Sequence, residues 1–483
     1  MRRPNILLFM PDQLRGDWAG PGNAGRVRTP VLDRVAARGV RFLKAICPSP
    51  ICGPSRACLA SGYEYDRAGV RNNGYSASPD APNLYRQLRD AGYHVMTCGK
   101  LDLLKGEPDW GEDGQHALHG LSRLKRLGFT GGLDSAGKHA AIFAHRDGHP
   151  EPYFAHLKQR GLAETHSSDF AARRSLALGA DALDFPGAGP NYRNTAPTAL
   201  PDEAYCDNWI GACALSLIEE GARSGKPWFL QVNLTGPHEP MDVTKAMAAA
   251  AAGLDPPTPV APADDITAAE HGAIRRNYAA MIENIDAIFG RLLARLEALG
   301  QRQDTVVVFT SDHGEMLGDC GYWEKFIPHH ASLHVPLVIA GPTVARGATV
   351  ADPTTLLDLH ATFVEIAGAQ PLPGIDSRSL VHQLADPARS HRDVVHAGLG
   401  SWRAAYDGRF KYVAGFDPRL PRKVMEAAAF AAEPDQSGRL VEPEADPTET
   451  ADLSARYPDI AARLRASLTA NASASRPAGE GRA

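Results

Sequence analysis

Short apolar runs that alternate with helical patterns constrain this chain most. Residues 5–10, 40–46, 93–98, 228–234, 305–310 and 335–340 each read as a buried strand. Helical patterns fill the gaps at 29–38, 84–91, 207–223, 267–299 and 353–367. Thr29 is placed to cap the first of these, with Pro30 in its opening position. The 267–299 stretch is the most regular, because Ile274, Tyr278, Met281, Ile282, Ile285, Ile288, Phe289, Leu292 and Leu296 recur at helical spacing. Such alternation predicts an α/β fold: a mostly parallel sheet sandwiched by helices. In a sheet of this kind ligands bind beyond the carboxyl ends of the strands. There the sequence places Asp12 and Gln13, Lys100, His238, and Asp312 and His313.

The pattern changes after Pro371-Leu372-Pro373-Gly374. Residues 394–396, 402–406 and 410–413 read as short antiparallel strands, the last two joined by an Asp407-Gly408 turn. A helix is predicted over 457–471, and the last dozen residues look disordered. The expected division is a catalytic domain over 1–370 and a small α+β domain over 371–483. Within the first, periodicity fails between 103 and 205, and so long an irregular stretch predicts a functional insertion that roofs the substrate site. Residues 246–263 read as a loop with one helical turn.

A net charge of −5 gives no reason to expect nucleic acid or an anionic membrane as partner. An anionic substrate then needs local positive charge. The apolar run at residues 6–10 is too short for a signal sequence, and no stretch approaches the roughly 20 apolar residues of a membrane span. Seven cysteines form an odd set without a tight framework, which predicts reduced thiols and a cytoplasmic protein.

The densest chemistry lies in Cys52-Gly-Pro-Ser-Arg56-Ala-Cys-Leu-Ala-Ser-Gly62. Pro54 fits a first helical turn, which puts Cys52 beside free backbone N–H groups at the positive end of the helix dipole. Arg56, four residues on, shares its face. A nucleophile and an anion are both stabilised at such a place. By itself a cysteine near a proline reads as a buried helix start. The run Cys-x-Pro-Ser-Arg-x-x-Leu-x-x-Gly, however, resembles the signature of the sulfatase family over its full length.

That resemblance implies an alkaline-phosphatase-like fold with a smaller C-terminal domain. It implies a Cys52 oxidised to formylglycine (3-oxoalanine) by a formylglycine-generating enzyme, and a hydrated aldehyde as nucleophile. It also implies one divalent ion on Asp12, Gln13, Asp312 and His313, completed by the oxygen at position 52. Two carboxylates, an amide oxygen and one imidazole make a mainly hard set suited to Ca²⁺ or Mg²⁺ rather than structural zinc, and the resemblance puts Ca²⁺ ahead of Mg²⁺ or Mn²⁺. By the same resemblance Arg56 holds the nucleophile, Lys100 and Lys325 bind the sulfate oxygens, and His238 contacts sulfate and protonates the leaving oxygen.

Two departures narrow the comparison. Asp12-Gln13 replaces the commoner Asp-Asp pair and is similar to choline-sulfatase-like and phosphonate-monoester-hydrolase relatives. Gly99-Lys100-Leu101-Asp102 replaces Gly-Lys-x-His, and with Ala331-Ser332-Leu333-His334-Val335-Pro336 it resembles the arylsulfatase K branch. Asp102 is thus a candidate base for breakdown of the sulfated intermediate; its ordinary alternative is a salt bridge to Lys100 or Lys105. The function implied is hydrolysis of a sulfate monoester, with a 2-O-sulfated uronate or another sulfated carbohydrate as substrate. The alternatives are a phosphonate or phosphate ester hydrolase on the same residues, or a non-catalytic metal- or glycan-binding relative. The oligomeric state is left open.

Overall fold

A computed structural model describes residues 3–23, 26–105, 110, 122–175, 190–430 and 438–474. Its main sheet has eight strands: β1 (Asn5–Asp12), β2 (Val40–Ile46), β3 (His94–Gly99), β4 (Gly131–Gly132), β5 (Trp228–Pro237), β6 (Thr305–Thr310), β7 (Leu337–Ala340) and β8 (Ala348–Thr355). They lie in the order β4-β3-β5-β1-β6-β7-β2-β8. All neighbours pair in parallel except β7, which runs antiparallel to both β6 and β2. The carboxyl ends of β1, β2, β3, β5 and β6 therefore reach one edge. Every residue of β1, β5 and β6 is buried, as strands covered on both faces must be.

Two hydrophobic cores fill the faces of the sheet. Ile6 and Leu8 of β1 point into one and Leu7 and Phe9 into the other. On the second face the helix Ala268–Ala298 lays Ile274, Tyr278, Met281, Ile282, Ile285, Ile288, Phe289, Leu292 and Leu296 against the strands. Thr267 and Glu270 close its N-terminus with a reciprocal capping box.

Past residue 390 a four-stranded antiparallel sheet forms from β9 (Val395–Leu399), β10 (Trp402–Tyr406), β11 (Lys411–Ala414) and β12 (Gly438–Val441), in the order β12-β11-β10-β9. One face merges with the first core through Val395, Ala397, Leu399, Trp402, Ala404 and Tyr406. The other carries the helix Pro458–Ala474, which buries Leu464 and Leu468 against Phe410 and Leu440. The expected disorder of the last dozen residues falls mostly outside the described residues.

Three expectations are corrected. Pro353 does not open a helix: residues 353–355 pair with 44–46 in β8, and the helix is Asp358–Ala367. β8 is an edge strand, where the missing N–H of a proline is tolerated. Its alternation is too weak to read from sequence. The 103–205 stretch is not irregular where it is described. It holds β4 and the helices Arg123–Leu127, Lys138–Arg146, Pro152–Gln159, Ala163–Ser175 and Pro190–Arg193. Most are shorter than three turns, so periodicity could not reveal them, but Ser122 and Glu151 cap two of them with side-chain bonds. Lastly, 245–251 forms a seven-residue helix, longer than the single turn expected.

Candidate active site

Cys52 is the first residue of the helix Cys52–Ser61, with Ile51 in the extended cap position, so the thiol sits one place further into the helix than its proline suggests. Gly62 ends the helix in the left-handed region, at φ 78°. Four residues on from Cys52, Arg56 is fully enclosed. Its Nε donates to Asp312 Oδ2 at 2.9 Å, its Nη2 to Asp12 Oδ2 at 3.2 Å, and its Nη1 to Asn233 Oδ1 at 3.0 Å and to the Lys100 carbonyl. One guanidinium thus ties the ends of β1, β3, β5 and β6 to the Cys52 helix. A buried charge of this kind persists only when its donors are all satisfied.

The loops after β1 and β6 are laced to each other. Asp312 Oδ1 accepts from the N–H groups of Gln13 and His313, each at 3.0 Å. Ser311 Oγ accepts from Leu14 N at 2.8 Å and lies 3.0 Å from the Pro11 carbonyl. Gln13 has a φ of 66°, a left-handed conformation unusual for a side-chain-bearing residue. The Tyr278 hydroxyl holds it there, donating to Gln13 O at 2.7 Å and accepting from Arg15 N at 3.1 Å.

Ligand atoms of Asp12, Cys52, Asp312 and His313 all lie within 4.8 Å of one another, and all four residues are buried. Cys52 Sγ is 3.2 Å from His313 Nε2 and 3.7 Å from Asp12 Oδ1. His313 Nδ1 donates to the Gly314 carbonyl at 2.9 Å, which leaves Nε2 as the nitrogen facing the cluster. Burial lowers the His313 pKa, Asp312 and Cys52 raise it, and the net is a shift up to about 8. Two buried carboxylates and an imidazole turned by its carbonyl partner fit a divalent cation. The donors are two carboxylate oxygens and one imidazole nitrogen, beside the sulfur of Cys52. Gln13 points elsewhere: its Oε1 accepts from Lys325 Nζ, while its Nε2 faces Tyr192, Glu239 and Glu315.

The basic groups gather on the other side of the thiol. Lys100 Nζ is 2.7 Å from Asp12 Oδ2 and 3.7 Å from Cys52 Sγ. Lys325 Nζ is 2.8 Å from His238 Nε2. Burial and Asp12 push the Cys52 thiol up, but Lys100, His313 and Lys325 outweigh them and the net shift is down. Burial drives His238 well below the ordinary histidine range against the pull of Glu239. Asp102, at φ 57°, lies 2.8 Å from Lys105 Nζ and 3.6 Å from Lys100 Nζ. Burial raises its carboxyl, yet Lys100, Lys105 and Arg56 hold it well below the usual range. The residues expected at the site are thus brought to one edge of the sheet, but Asp102 stands in an ion pair.

Sequence reasoning passed over Glu239, Glu315, Tyr192, Asn233, Lys138 and His139. Glu239 and Glu315 directly adjoin motif residues, His238 and Gly314, and could have been found there. The others could not. The Lys138–Arg146 helix brings Lys138 Nζ to 3.2 Å from the His238 carbonyl and the His139 ring to 6.1 Å from that of His238.

An α/β sheet of alkaline-phosphatase-like fold carries this site at its carboxyl edge. The chain belongs to the sulfatase family, whose profile matches residues 4–369, and it is a sulfuric ester hydrolase. It is 27% identical to a choline-sulfatase of Rhizobium meliloti over 94% of this chain and 85% of that one. It is 28% identical to arylsulfatase K of Danio rerio, over 78% and 67%. The phosphonate monoester hydrolase of Silicibacter pomeroyi has the same fold, with a TM-score of 0.74 and 23% identity over 98% and 96% of the two chains. No described helix is long and apolar enough to cross a membrane.

Proposed function

We propose that this enzyme hydrolyses sulfate monoesters, a sulfated carbohydrate such as a 2-O-sulfated uronate above all, through formylglycine made from Cys52. One observation carries this: Cys52 stands at a helix start with Lys100 and His313 at its sulfur and Arg56 behind it. Formylglycine would supply a hydrated aldehyde at this point. Asp12, Asp312 and His313, with Gln13 if it releases Lys325, would hold one hard divalent ion, Ca²⁺ ahead of Mg²⁺ by likeness to the family, whose charge would favour an ionised hydroxyl beside it.

The chain's own residues do the rest. Arg56 holds the carboxylates of Asp12 and Asp312 in line. Lys100 and Lys325 bind sulfate oxygens, which keep their charge through the transition state. His238 Nε2 gives a proton to the leaving alcohol. Asp102 either accepts the proton that expels sulfate or anchors Lys100, and its pairing with Lys105 favours the second role.

In a host with the formylglycine-generating enzyme, the Cys52 peptide loses about 18 Da as the thiol becomes an aldehyde. The same preparation turns over 4-nitrophenyl sulfate, and Cys52→Ala does not. Full turnover with Cys52 wholly in the thiol form overturns the reading, and preference for phenylphosphonate esters assigns the site to phosphorus. Cys52→Ala, which turns nothing over, still gains thermal stability with Ca²⁺ if the ion site is as described.

A further inference from the structure

The sequence Pro237-His238-Glu239-Pro240 contains a carboxylate that the mechanism above leaves unused. Glu239 is buried, and its side chain turns back on its own neighbour: Oε2 lies 3.1 Å from His238 Nδ1. The Glu239 carbonyl lies 2.7 Å from the same nitrogen. Two acceptors at Nδ1 require that nitrogen to carry a hydrogen. On the opposite side of the ring, Nε2 faces Lys325 Nζ at 2.8 Å. An ammonium group is a donor only, so Nε2 of the neutral ring is bare. The ring therefore exchanges protons at Nε2 alone, the nitrogen on the lysine side.

The carboxylate is itself fixed. Gln13 Nε2 donates to Glu239 Oε2 at 3.0 Å, and the Tyr192 hydroxyl lies 3.3 Å from that oxygen. Lys325 and Lys100 are the cations that weigh most on His238, Lys138 Nζ lies 3.2 Å from its carbonyl, and Asp12 adds a weaker attraction. Burial and both lysines oppose a charged ring, so Glu239 is its main counter-charge.

We infer that Glu239 is the positioning residue of His238: it holds Nδ1–H and offsets the charge of the imidazolium that delivers a proton from Nε2 to the leaving alcohol. This rests on the reading of His238 as that acid. As the S–O bond breaks, its electron pair passes to the alcohol oxygen, which takes the Nε2 proton, and the ring returns to its neutral Nδ1–H form. Solvent reloads Nε2. Glu239 touches no reacting atom.

The test is leaving-group dependence in purified, formylglycine-bearing enzyme. A 4-nitrophenolate departs without needing a proton, whereas an alkoxide does not. Glu239→Gln keeps the shape and removes the charge, and its kcat/KM falls at least about 10-fold further for a simple alkyl sulfate than for 4-nitrophenyl sulfate. In a His238→Asn background the same substitution leaves that ratio unchanged. Equal losses on both esters, or no loss on the alkyl sulfate, overturn the inference; so does an unaltered effect in the His238→Asn background. If Glu239→Gln does not fold, Glu239→Asp, which keeps the charge but draws the carboxylate back from Nδ1, is compared on the same two esters with the same outcomes expected. A wild-type enzyme that prefers phosphorus is tested on 4-nitrophenyl and alkyl phenylphosphonates, which separates failure of the sulfatase reading from failure of this one. An enzyme that turns over neither pair overturns the reading of the site, and this inference with it.

Discussion

Each catalytic candidate is set by its immediate partners, and Asp102 shows this most clearly. A base must be free to accept a proton near neutral pH. Asp102 instead faces Lys105 at 2.8 Å and Lys100 at 3.6 Å, and these cations favour its ionised form. Its left-handed backbone, at φ 57°, is one that asparagine also adopts readily. Asp102→Asn therefore changes charge without straining the chain. We expect slower first attack and weaker binding of an aryl sulfate, about 10-fold each, with no burst of phenol, because Lys100 loses an anchor. Stopped-flow absorbance decides: a full burst of phenol ahead of sulfate release would instead make Asp102 the base. From the sequence, both roles were open, since Lys100 and Lys105 are each close to Asp102 along the chain. Only the folded turn shows that both ammonium groups reach its carboxylate.

At the scale of an element, the long helix Ala268–Ala298 does more than cover the sheet. Its apolar periodicity was plain in the sequence, and Tyr278 belongs to that stripe. Yet Tyr278 extends its hydroxyl through the core to the turn after β1, where it bonds both Gln13 O and Arg15 N. Tyr278→Phe leaves those two buried backbone groups unpaired. Such a loss costs about 1 to 3 kcal/mol. We expect a urea midpoint lowered accordingly and a larger KM for aryl sulfates, since Gln13 partners Lys325. A variant of wild-type stability would show that the turn after β1 holds itself. The hydrophobic pattern located this residue but gave no sign of its polar duty, because a phenol ring satisfies the pattern whether or not its oxygen is used.

At the scale of the whole molecule, the small antiparallel sheet braces the loop that carries Lys325. Trp402 Nε1 donates to the Phe326 carbonyl at 3.0 Å, Lys411 Nζ to the Pro328 carbonyl, and Glu449 accepts from His330 N at 2.5 Å. His329 lies in this seam, with its Nδ1 unpartnered among the described residues. Burial pushes its pKa down to about 4, against the attraction of Glu449. An unfolded histidine takes up its proton near pH 6.5. Because the folded value is the lower, the stability is present above pH 6.5 and is lost as pH falls from there towards 4. Between pH 7.5 and 5 the loss from this one group is about 2 kcal/mol. His329→Phe, which keeps a ring beside Tyr322, should show a urea midpoint that declines less over that range. An unchanged slope would place the acid sensitivity elsewhere.

The alternation of the central strands and the longer helices, the placing of Asp12, Lys100, His238 and Asp312 at strand ends, and the Cys52 helix start were legible in the sequence. These depend on local rules: burial patterns of period two or 3.6, the fixed φ of proline, and short motifs. Tertiary structure alone decided the rest. Edge strand β8 hides a proline that only its place in the sheet explains. Most of the helices described between 122 and 193 are too short to announce themselves and exist because they pack. Arg56 binding both Asp12 and Asp312, and Tyr192 set behind Glu239, join residues that lie 44 to 256 positions apart. Contacts of that range are set by how the whole chain closes on itself, and no local pattern encodes them.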